Sequence, residues 1–217
     1  MTEISPDRSD IARTRAAYDA FADLYTEATR EAMASQPFDR AMLGAYADLV
    51  GATGAGRVLE VGCGPGRITA HLHTLGLDTE GMDLSPRMIE LAEKAYPELT
   101  FGVGSLERLD RGNGTLAGIV AWYSLIHLPP ERVPDVLNEF YRVLRGQGHA
   151  LLAFQATDTP DAVEAFDHKV TGAYKWAPER LSALLTATGF TVRASLVRAA
   201  SEREHCQHAY LLASKPG

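Results

Sequence analysis

The run Arg57-Val58-Leu59-Glu60-Val61-Gly62-Cys63-Gly64-Pro65-Gly66 opens as a strand and closes as a turn. Val58, Leu59 and Val61 are apolar, and two of them are β-branched, which suits an enclosed strand. Glycines then stand at alternate positions, 62, 64 and 66. Glycine accepts positive φ and lets another molecule come close to the backbone. Beyond them, Ile68, Leu72 and Leu75 recur at helical spacing. Strand, glycine turn and helix in this order predict unpaired backbone N–H groups at the carboxyl edge of a sheet, where an α/β sheet holds its ligand.

Two cofactor classes use such a turn. A dinucleotide site needs Gly-x-Gly-x-x-Gly, and the position for its third glycine is here Arg67. Glu60, just before the turn, would repel a pyrophosphate but suits a ligand carrying an ammonium or sulfonium. Thr79 to Asp83 reads as the next strand, with Asp83 at its carboxyl end, 23 residues after Glu60. A carboxylate there accepts hydrogen bonds from both hydroxyls of a ribose; alone, such an Asp is also a turn or helix cap.

Glu-x-Gly-x-Gly-x-Gly with Asp83 at this spacing resembles motif I and the following acidic position of the class I S-adenosylmethionine-dependent methyltransferases, of the small-molecule type. The resemblance runs over roughly residues 15 to 214. It implies a Rossmann-like fold: a seven-stranded, mostly parallel sheet with one antiparallel strand, helices on both faces and an N-terminal helical cap. It implies that Glu60, Gly62, Cys63, Gly64, Gly66, Arg67 and Met88 line an S-adenosylmethionine site, with Asp83 on the ribose and Leu84 and Met82 around the adenosine. Ser105 and Leu106 would hold the adenine edge. Many family members have Asp where this chain has Ser105, and serine accepts the same bond more weakly.

Composition sets outer bounds. The 217 residues, 46% of them hydrophobic, suffice for one domain with a sizeable core. The net charge of −7 argues against a general nucleic-acid binder. No apolar run reaches the roughly 18 residues that span a membrane, and the polar start of the chain has no signal-peptide core. Cys63 and Cys206 give neither a disulfide framework nor metal-ligand spacing. The expectation is a cytoplasmic protein, monomer or homodimer, with no metal, no nucleic-acid partner and no membrane.

Residues 1–9 read as a disordered tail, and Asp10 to about Arg30 as a helix ahead of Pro37. Tyr18 and Tyr25, seven residues apart, share one face of it. Tyr18-Asp19-x-x-Ala22-x-x-Tyr25 is similar to the capping helix of small-molecule methyltransferases; the tyrosines either cap the cofactor and the acceptor pocket or pack the helix on the sheet. A second helix spans about Phe38 to Val50. Residues 1–52 thus form a tail and helical cap, and 53–217 the cofactor-binding domain. Ser85-Pro86 starts a helix as N-cap and first position. Leu99–Val103, Leu116–Tyr123 and His149–Phe154 read as strands, and Glu131 to Leu144 as an amphipathic helix closed by Arg145–Gly148.

The segment after the fourth strand, from Tyr123 and Ser124 to His127, lies at the active edge. The resemblance puts Tyr123 and Ser124 at the methionine end of the cofactor. His127 is either the catalytic base or acceptor-orienting group, or a histidine capping the next turn. Residues 155–176 read as a lid or acceptor-binding insert, or as a solvated connector. This insert supplies His168, Tyr174 and Trp176 as acceptor-side candidates beside Tyr18 and His127. Pro178 to Gly189 reads as the last helix, and Phe190–Val197 with Gln207–Ser214 as the closing strand pair. No Asn-Pro-Pro-Tyr or Asp-Pro-Pro-Tyr follows the fourth strand, which favours a free small-molecule acceptor, methylated on O or N, such as a secondary metabolite. The competing classes are an NAD-type oxidoreductase and a non-catalytic cofactor-binding protein on the same fold.

Overall fold

A computed structural model describes residues 9–29, 36–202 and 204–217. Apart from Ser9, the expected N-terminal tail lies outside the described residues, as does Arg30 at the end of the first expected helix. Helices α1 (Ser9–Thr29) and α2 (Pro37–Ala52) precede the sheet. Strand β1 (Arg57–Val61), helix α3 (Arg67–Thr74), strand β2 (Asp78–Asp83), helix α4 (Pro86–Ala95) and strand β3 (Thr100–Val103) make the first half. Strand β4 (Leu116–Trp122), helix α5 (Val133–Val143) and strand β5 (Leu144–Ala156) begin the second. A hairpin, β6 (Val163–Asp167) and β7 (Gly172–Trp176), then helix α6 (Pro178–Thr188) and strands β8 (Thr191–Arg198) and β9 (Gln207–Ser214) complete it.

The main body of the sheet runs β3-β2-β1-β4-β5-β9-β8. β1 pairs in parallel with β2 on one side and β4 on the other, so Glu60 lies opposite both Gly81 and Val120. β9 is antiparallel to both its neighbours, and is the one reversed strand of this seven-stranded body. The order reverses between β1 and β4, which opens a crevice at their carboxyl ends. Side chains alternate across β5: Ala150, Leu152 and Phe154 enter one core with α5 and α6, while Leu151 and Ala153 enter the other with α2 and α3. That two-sided burial is why β4 is apolar throughout, with all seven of its residues buried.

Three expectations change. The sheet has nine strands rather than seven, because the 155–176 segment, rather than being a solvated connector, is a β-hairpin paired into the sheet. Ala156 pairs with Gln207 of β9 and in parallel with Trp176 of β7, so β7 occupies the β4 side of β5 just beyond the end of β4. The hairpin therefore stands over the carboxyl edge of the sheet. The third change is at Arg145–Gly148, expected as a helix stop. The helix ends at Val143, and β5 already begins at Leu144, which pairs with Leu116. A bulge between Leu116 and Gly118 absorbs the extra residues. Arg145 clamps this corner by donating to the carbonyls of Thr53, Gly54 and Ala55.

Candidate active site

The glycine turn is built for tightness. Gly62 and Gly66 have φ of 75° and 81°, and a Cβ on Gly62 would lie 2.3 Å from that of Ser124. The turn uses its own donors: Gly62 and Cys63 N–H both bond to Met82 O, Gly66 N–H to Cys63 O, and Gly64 N–H to Asp83 Oδ2 at 2.8 Å. The expected unpaired N–H groups at these positions are therefore spent inside the protein. A pyrophosphate would find none of these four donors free, which separates the turn from a dinucleotide cradle.

Asp83 closes β2 beside the turn. Its Oδ1 accepts from Ser85 N–H at 2.8 Å, so each carboxylate oxygen holds one backbone donor and keeps a lone pair free. Burial raises its pKa, against the pull of those two N–H bonds. Ser85 caps α4 by accepting from Met88 N–H at 3.1 Å, and its hydroxyl donates to Asp19 of α1 at 2.5 Å. Arg87 meets Asp23 of the same helix at 2.9 Å. Cap and ion pair fasten α1 over the carboxyl edge.

Between α1, the turn and the end of β4 lies a cleft. Its walls include Tyr18, Tyr25, Gly62, Gly64, Asp83, Leu84, Met88, Ser105, Leu106, Tyr123, Ser124 and His127. Glu60, Cys63, Gly66 and Arg67 do not line it. Glu60 is 2% exposed and accepts from Thr69 Oγ1 behind the turn. Burial pushes its carboxyl up to about 8, with the Thr69 bond and the Arg67 charge opposing. Ser105 faces the cleft with one acceptor site already taken by Glu107 N–H at 3.3 Å.

Sequence reasoning passed over several of the walls: Asp10, Ile11 and Thr14 at the start of α1, and Trp122, Glu107 and Arg132. Arg132 ties the cap to the sheet, pairing with Asp10 and, at 3.0 Å, with Glu107. No local motif marks these residues, whose positions differ by up to 122 in sequence. Asp10 Oδ1, Trp122 Nε1, Ser124 Oγ and Arg132 Nε are buried and have no hydrogen-bond partner among the described residues. Buried polar atoms ordinarily have partners, so four of them around one cleft mark a place for a polar ligand.

His127 is bonded on both sides. Its Nδ1 donates to Gly172 O of the hairpin at 3.1 Å, which leaves Nε2 to accept from the Tyr18 hydroxyl at 2.7 Å. Burial lowers its pKa to about 4, so it is neutral at physiological pH. His168 packs edge-on against it, ring centres 5.2 Å apart. A second cleft opens behind His127, between α1 and the hairpin, and Tyr174 lines it. The two clefts share Asp10, Thr14 and His127. Trp176 is 2% exposed and belongs to the hydrophobic core, where it anchors β7 rather than facing either cleft.

A sheet of this order, with a carboxylate at the crevice of its switch point, is the fold shared by solved S-adenosylmethionine-dependent methyltransferases. Residues 58–148 match the family described as "Methyltransferase domain". Over its whole length the chain superposes on the 1,6-didemethyltoxoflavin-N1-methyltransferase of Burkholderia thailandensis, solved with 1,6-didemethyltoxoflavin and S-adenosylhomocysteine. The TM-score is 0.74 at 22% identity, covering 100% of this chain and 93% of that one. The magnesium protoporphyrin IX methyltransferase of Synechocystis, solved with S-adenosylmethionine, gives 0.73 at 18% identity, covering 99% and 100%. In sequence, the magnesium-protoporphyrin O-methyltransferase of Rhodobacter capsulatus is 34% identical over 115 residues, 51% of this chain and 49% of that protein. The chain spans about half the length of the curated relatives it matches.

Proposed function

We propose that this protein transfers the methyl group of S-adenosylmethionine to an oxygen or nitrogen atom of a small molecule, such as a secondary metabolite. The observation that carries this is Asp83: a carboxylate with free lone pairs, facing the cleft beside a glycine turn whose N–H groups at 62–64 and 66 are already used. That set receives a nucleoside diol and offers nothing to a pyrophosphate. The four unpartnered polar atoms of Asp10, Trp122, Ser124 and Arg132 supply further polar partners. The bound sulfonium supplies an already activated methyl group, which leaves the protein mainly the work of alignment, on the order of 7–11 kcal/mol in favourable intramolecular models.

The residues divide that work. Asp83 holds the ribose, Leu84, Met88 and Leu106 enclose the base, and Ser105 offers its edge a hydroxyl. Tyr18 and Tyr25, edge to face at 6.1 Å on α1, close the cleft from above. His127 is an orienting group: its two bonds fix the Tyr18 hydroxyl and tie α1 to the hairpin. The acceptor enters by the second cleft, so the hairpin with Tyr174 is its outer wall, and His168 bears on it through its contact with His127. The presence of the methylated porphyrin and toxoflavin substrates in the names of two similar proteins supports a flat acceptor for such a space. Within the same proposal the protein is cytoplasmic, its two cysteines both free, as a reducing compartment keeps them. Among the described residues no helix is long and apolar enough to cross a membrane.

Calorimetric titration with S-adenosylhomocysteine, beside NAD as control, tests the reading. Micromolar binding of the first alone is expected, followed by methyl transfer from labelled S-adenosylmethionine to some member of a panel of phenols and N-heterocycles. Binding of NAD alone would overturn it.

A further inference from the structure

A second tyrosine–histidine pair stands at the cleft, Tyr123 in its wall and His208 behind it, and it differs from Tyr18–His127 in what stands behind the imidazole. Tyr123 follows β4 with φ of 56°, a left-handed conformation uncommon for an aromatic residue. Its N–H is bonded to Ala153 O at 2.9 Å. This bend carries the ring to β9, where its hydroxyl lies 2.6 Å from His208 Nδ1. His208 Nε2 lies 3.2 Å from Glu204 Oε1. Glu204 is held in turn by both terminal nitrogens of Arg198 at 2.6 Å and by Ser201 N–H at 2.8 Å. Arg198 continues to the Tyr210 hydroxyl at 3.1 Å, and Tyr210 donates to Asp39 of α2.

The carboxylate facing Nε2 places the imidazole proton there. Nδ1 is left as a lone-pair acceptor for the Tyr123 hydroxyl. The groups facing His208 are thus Tyr123 from β4, Glu204 from the β8–β9 connection and Arg198 from β8. Burial and the Arg198 charge hold the imidazole neutral, its pKa lowered to about 4, while Glu204 pulls the other way. At His127 the corresponding partner is only a carbonyl, that of Gly172, so a proton arriving there meets no carboxylate.

We propose that Tyr123, His208 and Glu204 form the proton relay of the active site, with Tyr123 the catalytic residue that meets the acceptor and His208 and Glu204 positioning it. This rests on the methyltransferase reading above. As an O–H or N–H acceptor bonds to the methyl carbon, the carbon–sulfur pair leaves with sulfur. The acceptor's own proton passes to Tyr123 Oη, and the hydroxyl proton moves to His208 Nδ1. The imidazolium formed lies against Glu204 and returns its proton to solvent after the product departs. Arg198, Tyr210 and Asp39 hold Glu204 in place throughout.

The test uses the full chain saturated with S-adenosylhomocysteine. Nitrogen-15 NMR of the histidine rings should show His208 neutral, protonated on Nε2, with a hydrogen-bonded Nδ1. Tyr123→Phe should shift the Nδ1 resonance and change the apparent pKa of His208 by half a unit or more, with affinity for S-adenosylhomocysteine within about twofold. A His208 protonated on Nδ1, or one indifferent to Tyr123→Phe, overturns the relay. With whichever phenol or N-heterocycle of the panel is methylated, Tyr123→Phe and His208→Gln should each lower kcat by roughly 10²–10⁴ with little change in KM, and His208→Gln should flatten the acid limb of the pH–rate curve. Losses under tenfold, or confined to KM, also overturn it. Failure of the wild-type protein to bind S-adenosylhomocysteine would instead strike the methyltransferase reading.

Discussion

At Asp83 a single carboxylate does two jobs, and they can be separated by substitution. It holds the glycine turn through Gly64 N–H and the start of α4 through Ser85 N–H, and it presents its remaining lone pairs to the cleft. Asp83→Asn keeps one oxygen acceptor and should leave the fold intact. Asp83→Ala should weaken S-adenosylhomocysteine binding by about 1–3 kcal/mol, the usual cost of leaving buried partners unpaired; calorimetry on both variants checks it, and unchanged affinity would remove Asp83 from the site. His127 answers a different question. As an orienting group with its proton on Nδ1, its replacement by Ala should loosen Tyr18 and raise the acceptor KM, while kcat falls less than about tenfold, below the range of a general base. The places of Asp83 and Tyr123 at the cleft were within reach of the sequence because strand ends after a glycine turn have a known place in the sheet. That Glu60 points behind the turn was not, since strand alternation gives a side but not what fills it; Thr69 fills it here.

Elements were legible in proportion to their periodicity. β1, β2 and β4, α4 with its Ser85 cap and α6 with its Gly189 stop all stand within a residue or two of where hydrophobic spacing put them. The hairpin was hidden because β6 has no fully buried face: Val163, Glu164 and Phe166 are half-buried and Ala165 and Asp167 exposed, so no clean alternation marks it. Its position is a tertiary matter, fixed where β5 outruns β4 and exposes an edge that β7 covers at Ala156. The contacts of α1 are equally invisible in one dimension, since Asp19 and Asp23 find Ser85 and Arg87 across more than 60 residues. These contacts hold the cap shut. Asp19→Asn weakens the bond from Ser85 Oγ, and Asp19→Ala together with Asp23→Ala removes the latch. The double variant should speed amide exchange along α1 and raise the dissociation rate of S-adenosylhomocysteine several-fold, with α5 and α6 exchanging as before. Uniform exchange across all helices would mean that the latch serves global stability instead. An exposed ion pair such as Arg87–Asp23 is screened by solvent and adds little to global stability, so a local effect on the cap is the expected scale.

Across the whole molecule, buried titratable groups pull stability in opposite directions as pH changes, and the balance can be worked out. His127 and His208 have folded-state pKa values lowered to about 4 from an unfolded value near 6.5. Between those limits the unfolded chain binds more protons than the folded one, so stability falls as pH drops from about 6.5 toward 4. His71, His149 and His168 are lowered in the same sense by burial. Glu60 works the other way: its folded pKa is raised to about 8, so its contribution is fully present below its unfolded value and is lost as pH rises toward 8. Each group changes stability by at most about 1.4 kcal/mol per pH unit within its window. Burial raises Asp39 and Asp83 in the same sense as Glu60; the five histidines outweigh these three carboxyls over the lower window, and Glu60 carries the decline toward pH 8, which puts the maximum of thermal stability near pH 6–7. Glu60→Gln replaces the neutral carboxyl with a group of the same shape and no ionisation. It should abolish the alkaline decline, giving a Tm above the wild type at pH 8 and close to it at pH 5. Melting curves from pH 5 to 9 on both proteins decide this. A wild-type Tm that stays level from pH 6.5 to 8, or a Glu60→Gln protein that declines in parallel with it, would mean that Glu60 is already ionised at neutral pH and that Arg67 neutralises it behind the turn.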